Sequence, residues 1–141
     1  MSTVFDTIRE KIETYLAANW DEEAQCPIKW PNEPFADHEQ TAYVQYNLNY
    51  SDVHRFTLTG TPTAGQRQLG LVTMQIFVRE ASGTGTAMEL ADDVRDLFNE
   101  VDLAMGDGTF IRFDAPSINV VGNSSPGWWQ VNVDCPFEHV D

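Results

Sequence analysis

Basic residues are scarce in this chain. Only 8 Lys and Arg stand against 22 Asp and Glu, for a formal net charge of −14 over 141 residues. A surface that grips phosphate backbones needs clustered cations, and so does one that lies on an anionic membrane, so neither nucleic-acid binding nor membrane attachment is expected. Long apolar runs are missing as well. Residues 1–10 have neither a basic start nor an apolar core segment, so no signal peptide or spanning helix is expected and the chain should be intracellular when made.

Cysteine is limited to Cys26 and Cys135, each directly before a proline and far apart, with no zinc or redox spacing. Two buried, reduced thiols are expected, with a disulfide or reactive thiol as the alternative. Catalytic signatures are also wanting. His38, His54 and His139 share no ligand spacing, and a surface histidine is expected at each. The stretch Ser82-Gly83-Thr84-Gly85-Thr86 sits between a strand and a helix, where nucleotide-binding loops lie, but Met88 stands where a dinucleotide fingerprint wants glycine. A phosphate-binding loop would also want a lysine, and none follows Lys29. Asp92 and Asp93 are adjacent on a helix and diverge, unlike a glycosidase pair. No enzyme activity, cofactor or metal is expected.

What is present is a foldable core. A hydrophobic fraction of 42% and an aromatic fraction of 11% exclude wholesale disorder despite the charge, and the length suits a single domain spanning residues 1–141. Residues 3–19 carry Val4, Ile8, Ile12, Tyr15 and Leu16 at helical steps, with Thr3 as a cap and Arg9, Glu10, Lys11 and Glu13 on the other side. After an acidic turn, three prolines within residues 27–34 exclude a central strand and predict an N-terminal edge segment that holds Ile28, Trp30 and Phe35 against the body.

Residues 41–50 alternate, with Ala42, Val44, Tyr46, Leu48 and Tyr50 on one side and Tyr43, Gln45, Asn47 and Asn49 on the other. Strands are also predicted over residues 54–60, with Phe56 and Leu58 inward, and over residues 68–79. Between these two, Thr61, Pro62, Thr63, Ala64, Gly65 and Gln66 offer no apolar anchor larger than alanine, which reads as a projecting hairpin loop able to touch a partner, or as a plain solvated turn. Ala87, Leu90, Ala91, Val94, Leu97, Phe98 and Val101 mark a second helix, capped by Thr84 or Thr86. Three further strands are expected over residues 109–114, 117–122 and 128–137, with a turn at residues 123–127.

The order α-β-β-β-α-β-β-β, plus the edge segment, predicts an α+β fold: a largely antiparallel sheet with two amphipathic helices packed on one face. The other face then needs water or a neighbouring subunit. Trp128 and Trp129 are adjacent in a strand and point opposite ways, so one of them meets a loop or neighbour, unless a tryptophan is simply left exposed.

Several features together resemble the tail terminator, or tail completion, proteins of long-tailed bacteriophages. They are the first helix ending at Trp20, the block Pro27-Ile28-Lys29-Trp30-Pro31-Asn32-Glu33-Pro34-Phe35, the Gly-rich turn into the second helix, the strand at Gly108 to Phe113, and the closing run Trp129-Gln130-Val131-Asn132-Val133-Asp134-Cys135-Pro136-Phe137. The resemblance implies a non-enzymatic α+β protein that forms a homohexameric ring on the head-proximal end of the tail tube, stops its growth and docks the head-tail connector or neck protein. It implies a place in the virion, with host cytoplasm as the site of assembly. Net charge adds an expectation: six copies would carry six times −14, so acids in the lumen would repel passing DNA, which slides through without specific binding. The alternative is that the acids keep the monomer soluble and delay assembly until a tube end is present. No individual functional residue carries over beyond the matching block, which leaves Trp30 and Asn32, the residue 61–66 loop and Trp128 as contact candidates. A small acidic adaptor or inhibitor that binds a basic host protein would share the composition, as would a degenerate hydrolytic fold.

Overall fold

A computed structural model describes residues 4–36, 39–55, 66–80 and 84–140. Helix α1 spans Val4–Asn19 and α2 spans Thr84–Phe98, and the strands are β1 (Ile28–Lys29), β2 (Ala42–Arg55), β3 (Gln66–Arg79), β4 (Asp102–Ala104), β5 (Phe110–Phe113), β6 (Ser117–Ser125) and β7 (Trp128–Val140). They form one sheet in the order β1-β2-β3-β7-β5-β4, with β6 also on β7. All pairings are antiparallel except β1 with β2. This is the expected α+β architecture.

Strand β7 organises the sheet. One side pairs with β3 from Arg79 opposite Trp128 to Arg67 opposite Val140. The other side is shared: β6 takes its first half, with Ser117 opposite Asp134, and β5 takes its second, with Phe113 opposite Phe137. Between β5 and β6 the backbone N–H of Asp114 donates to the Pro136 carbonyl, so the two strands run on almost as one. Pro126 and Gly127 alone turn β6 into β7, the glycine at a φ of 85° that suits the second central position after proline.

The helical stripes and one sheet face make the core. Ile8, Ile12 and Leu16 from α1 and Ala87, Leu90, Ala91, Val94 and Phe98 from α2 are buried in one cluster with Val44, Tyr46, Val72, Met74, Ile76, Val78, Val131, Val133, Cys135 and Phe137. Even positions of β2 and β3 and odd positions of β7 thus face inward, as a period of two requires. Side-chain bonds tie the helices together and to their loops. The Tyr15 hydroxyl donates to the Leu97 carbonyl at 2.6 Å, the Gln25 amide donates to Asp93, and the Trp20 indole donates to the Cys26 carbonyl at 2.8 Å.

On the inner face one row reads Tyr50, Gly70, Phe137, and Phe113 lies beyond on β5. The Phe137 ring occupies the space over Gly70, where an added Cβ would come within 2.2 Å of it. Glycine is required here by close approach rather than by backbone conformation.

Several expectations need correction. Residues 41–50 and the start of residues 54–60 belong to the single strand β2, because the register shift between Tyr50 and Val53 absorbs Ser51 and Asp52 without ending the strand. Residues 56–65, which include Thr61, Pro62, Thr63, Ala64 and Gly65, lie outside the described residues, as do Thr3 and His38, whereas Gln66 opens β3. The second helix begins at Thr84, so Thr86 lies inside its first turn rather than capping it, and it ends before Val101. Strand β4 was not expected, and β6 runs to Ser125 through the anticipated turn.

The outer face is mixed. Tyr43, placed on the solvent side by its alternation, is buried at 5% exposure under Phe35, Phe77 and Trp128. Further along, Gln45, Gln75 and Asn132 form one cross-strand row, and Asn47, Thr73 and Asp134 form the next, with the Thr73 hydroxyl 3.3 Å from Asp134.

Both cysteines are free and buried, as expected. Burial above all pushes each thiol up from 9.0 to about 12, with help from Glu22 and Asp93 at Cys26 and from Asp134 at Cys135. Unfolded thiols ionise near pH 9, whereas the folded ones hold their protons to about 12, so the stability these groups contribute is complete below pH 9 and is lost as the pH rises toward 12. Urea midpoints should therefore stay level near neutrality and fall above pH 9. A thiol reagent at pH 8 should label neither cysteine until the chain unfolds.

Candidate functional site

Two surfaces stand out from the frame. The first is a groove of about 610 Å³ between the start of α1 and the outer margin of β2. Its floor is aromatic and aliphatic, formed by Phe5, Trp30, Tyr46, Leu48 and Tyr50. The turn after β1 builds one wall. Pro31 precedes Asn32 at a φ of 59°, a left-handed position that asparagine tolerates better than most residues, and the Glu33 N–H points back toward the Trp30 carbonyl at 3.4 Å. This turn sets Trp30 with its ring centroid 5.3 Å from that of Tyr46.

Helix α1 builds the other wall. Phe5 packs edge-on against Tyr50 at 4.8 Å, and the Tyr50 hydroxyl donates to the Phe5 carbonyl at 2.8 Å. The rim carries Asp6, Arg9, Glu13 and Glu33, and Arg9 is engaged by Asp6 at 2.7 Å and Glu13 at 3.2 Å. The rim is thus acidic overall.

The groove contains an unmet polar group. Tyr46 is 1% exposed, and its hydroxyl has no hydrogen-bond partner among the described residues. Burial, with Glu13 nearby, pushes this phenol far above its ordinary range. A buried donor without a partner costs roughly 1–3 kcal/mol. Tyr46→Phe should therefore raise the stability of the isolated chain by about 1 kcal/mol, read as a higher urea midpoint.

The second surface is the outer edge of β6. No described strand pairs with it on the side away from β7. Val120 and Val121 are 52% and 45% exposed. In a chain with 21% charged residues, positions 115–133 contain no Asp, Glu, Lys or Arg. Acids collect elsewhere, at the exposed Asp21, Glu22 and Glu23 and along α2 at Glu89, Asp92, Asp93 and Asp96.

The structure brings Trp30 and Asn32 together in the groove but puts Trp128 on the opposite face. There Trp128 meets Tyr43 and Phe77, and the Arg79 guanidinium lies 3.9 Å over its ring. Trp129 faces the core side, so each tryptophan is met by the chain's own residues. Phe5, Tyr46 and Tyr50 line the same groove and were not among the contact candidates read from the sequence. The signal available for β6 was its run without charge.

Among the described residues no group of three or more His, Cys, Asp or Glu could hold a metal. His139, expected at the surface, is 3% exposed, with its Nε2 3.0 Å from the Thr109 hydroxyl. Strand β7 carries it to the inner face beside Ile111. No helix among the described residues is long and apolar enough to cross a membrane.

Comparison with known proteins yields no match among curated sequences. One solved structure superposes with a TM-score of 0.74 at 16% identity, covering 99% of this chain and 98% of its own, which supports the fold alone. The family model described as phage tail terminator protein matches residues 7–137, and the chain therefore belongs to the phage tail terminator family, structural proteins of the virion that complete the tail.

Proposed function

We propose that this chain, as a single tail-terminator-like domain, forms a ring of six copies on the head-proximal end of the tail tube. The ring stops tube polymerisation and offers the head-tail connector or neck protein its docking surface. The family match over residues 7–137 is the observation that carries this reading. No catalytic step is part of it. Assembly takes place in host cytoplasm, and the finished ring resides in the virion.

Charge supports two corollaries. Six copies carry six times the −14 of one, so acids facing the lumen would repel passing DNA and let it slide without being held. Reversing the charge of lumen-facing acids should then slow DNA ejection, and unchanged ejection would remove this corollary. The same repulsion opposes assembly in dilute salt, and counter-ions relieve it.

Native mass spectrometry across protein and magnesium concentrations tests the ring, with hexamer expected to grow with both. Should the free chain stay monomeric, adding purified tail tubes should yield tubes capped at one end. A chain that neither assembles nor caps tubes would instead act as a monomeric adaptor for a basic partner.

A further inference from the structure

The geometry points to a head-to-tail contact between copies, in which the uncharged β6 edge of one chain seats in the acid-rimmed groove beside β2 of the next. This inference rests on the ring reading and adds the surfaces that make the ring.

Charge decides which surfaces can meet. Two chains of −14 repel, and contact through α2 would oppose Glu89, Asp92, Asp93 and Asp96 to acids of the neighbour. Strand β6 has no charged residue to bring against such a surface. Edge strands of monomeric proteins are commonly guarded by a lysine, a proline or an inward charge. Strand β6 contains no lysine, proline or charge; its register shifts after Val120 bend its second half, and Val120 and Val121 are both exposed.

The groove is complementary in two respects. Its apolar floor at Trp30, Leu48 and Tyr50 suits exposed valine side chains. Its acidic rim disfavours an acidic segment but leaves an uncharged one unopposed.

The placement fits a closed ring. In the sheet β2 and β6 lie on opposite sides of the β3–β7 pair, and β1 pairs only with Val44 and Gln45 of β2. Edge and groove are different patches on opposite margins, so each copy can use both at once. Such a heterologous contact propagates around a ring, whereas an edge pairing with its own equivalent would stop at a dimer.

Two exposed positions allow a test with the full chain. Val120→Asp puts a charge on the edge, and Phe5→Asp adds one to the groove in the first turn of α1, where an acid favours the helix. Circular dichroism and melting should show both variants folded, and Val120→Thr serves as an uncharged control that keeps assembly. Each Asp variant alone should be monomeric under conditions where the wild type forms rings, alone or on tail tubes. Mixed together they should give a one-to-one heterodimer, because each retains one intact surface. Rings or capped tubes from either Asp variant, or no heterodimer in the mixture where the wild type assembles without tubes, would overturn the contact while leaving the ring reading standing. A wild type that neither assembles nor caps tubes would overturn both.

Discussion

Gly70→Ala is expected to destabilise the chain by about 3 kcal/mol, lowering Tm by roughly 10 °C in calorimetry. The new methyl would stand 2.2 Å from the Phe137 ring. That ring cannot simply swing away, since Phe137 is buried and packs against Phe113 at 5.4 Å and Tyr50 at 6.3 Å. Relief requires either a shift of β7 relative to β3 or a smaller side chain at 137. Gly70→Ala combined with Phe137→Leu should therefore lose less than the sum of the two single losses, a coupling that direct contact predicts and a backbone effect of alanine does not. Strictly additive losses would show that the ring over Gly70 is not the cause.

Phe98→Ala should cost about 3–5 kcal/mol. Phe98 is fully buried at the end of α2, with its ring 4.9 Å from Phe113 on β5 and 5.8 Å from Tyr15 on α1. It therefore joins both helices to the sheet, and its loss leaves a cavity where three elements meet. The Tyr15 hydroxyl bond to Leu97 lies in the same place, so urea unfolding of this variant should show α1 loosening before the sheet, seen as lost helical signal ahead of tryptophan fluorescence. Coincident transitions with a loss under 1 kcal/mol would mean that the site closes around the gap.

The helices were legible because their signal is periodic. Ile8, Ile12 and Leu16, like Leu90, Val94 and Phe98, recur at steps that only a helix turns to one side. The first half of β2 was legible for the same reason. Its continuation was hidden, since Ser51 and Asp52 break the alternation at the register shift and look like a loop. Strand β4 spans only Asp102, Leu103 and Ala104, too short for any alternation to show, and it exists because β5 offers it an edge.

The groove was half visible. Pro31-Asn32 marks a turn, and Trp30 beside it is an evident anchor, but Phe5, Tyr46 and Tyr50 join it only through the docking of α1 along β2. The unmet Tyr46 hydroxyl depends on the absence of a neighbour in space, which no spacing encodes. Trp128 is the converse case: a large ring near a turn reads as a contact for a partner, and only the fold shows that Tyr43, Phe77 and Arg79 already pack against it while part of the ring stays exposed.

The central position of β7 also governs how the chain reaches its native state. The strand is flanked by β3 on one side and by β5 and β6 on the other, and its Asp134 accepts a bond from the Thr73 hydroxyl across 61 positions. Helices and the β2–β3 pair can form from local contacts, but the two halves of the sheet stay apart until β7 inserts between them. Pairings this distant in sequence are slow, on the order of milliseconds to seconds. During that interval β3 presents a bare row of backbone donors and acceptors on its inner edge. A subunit whose β7 has not yet docked on β3 would thus carry an unpaired strand edge, the place where mispairing between copies would begin.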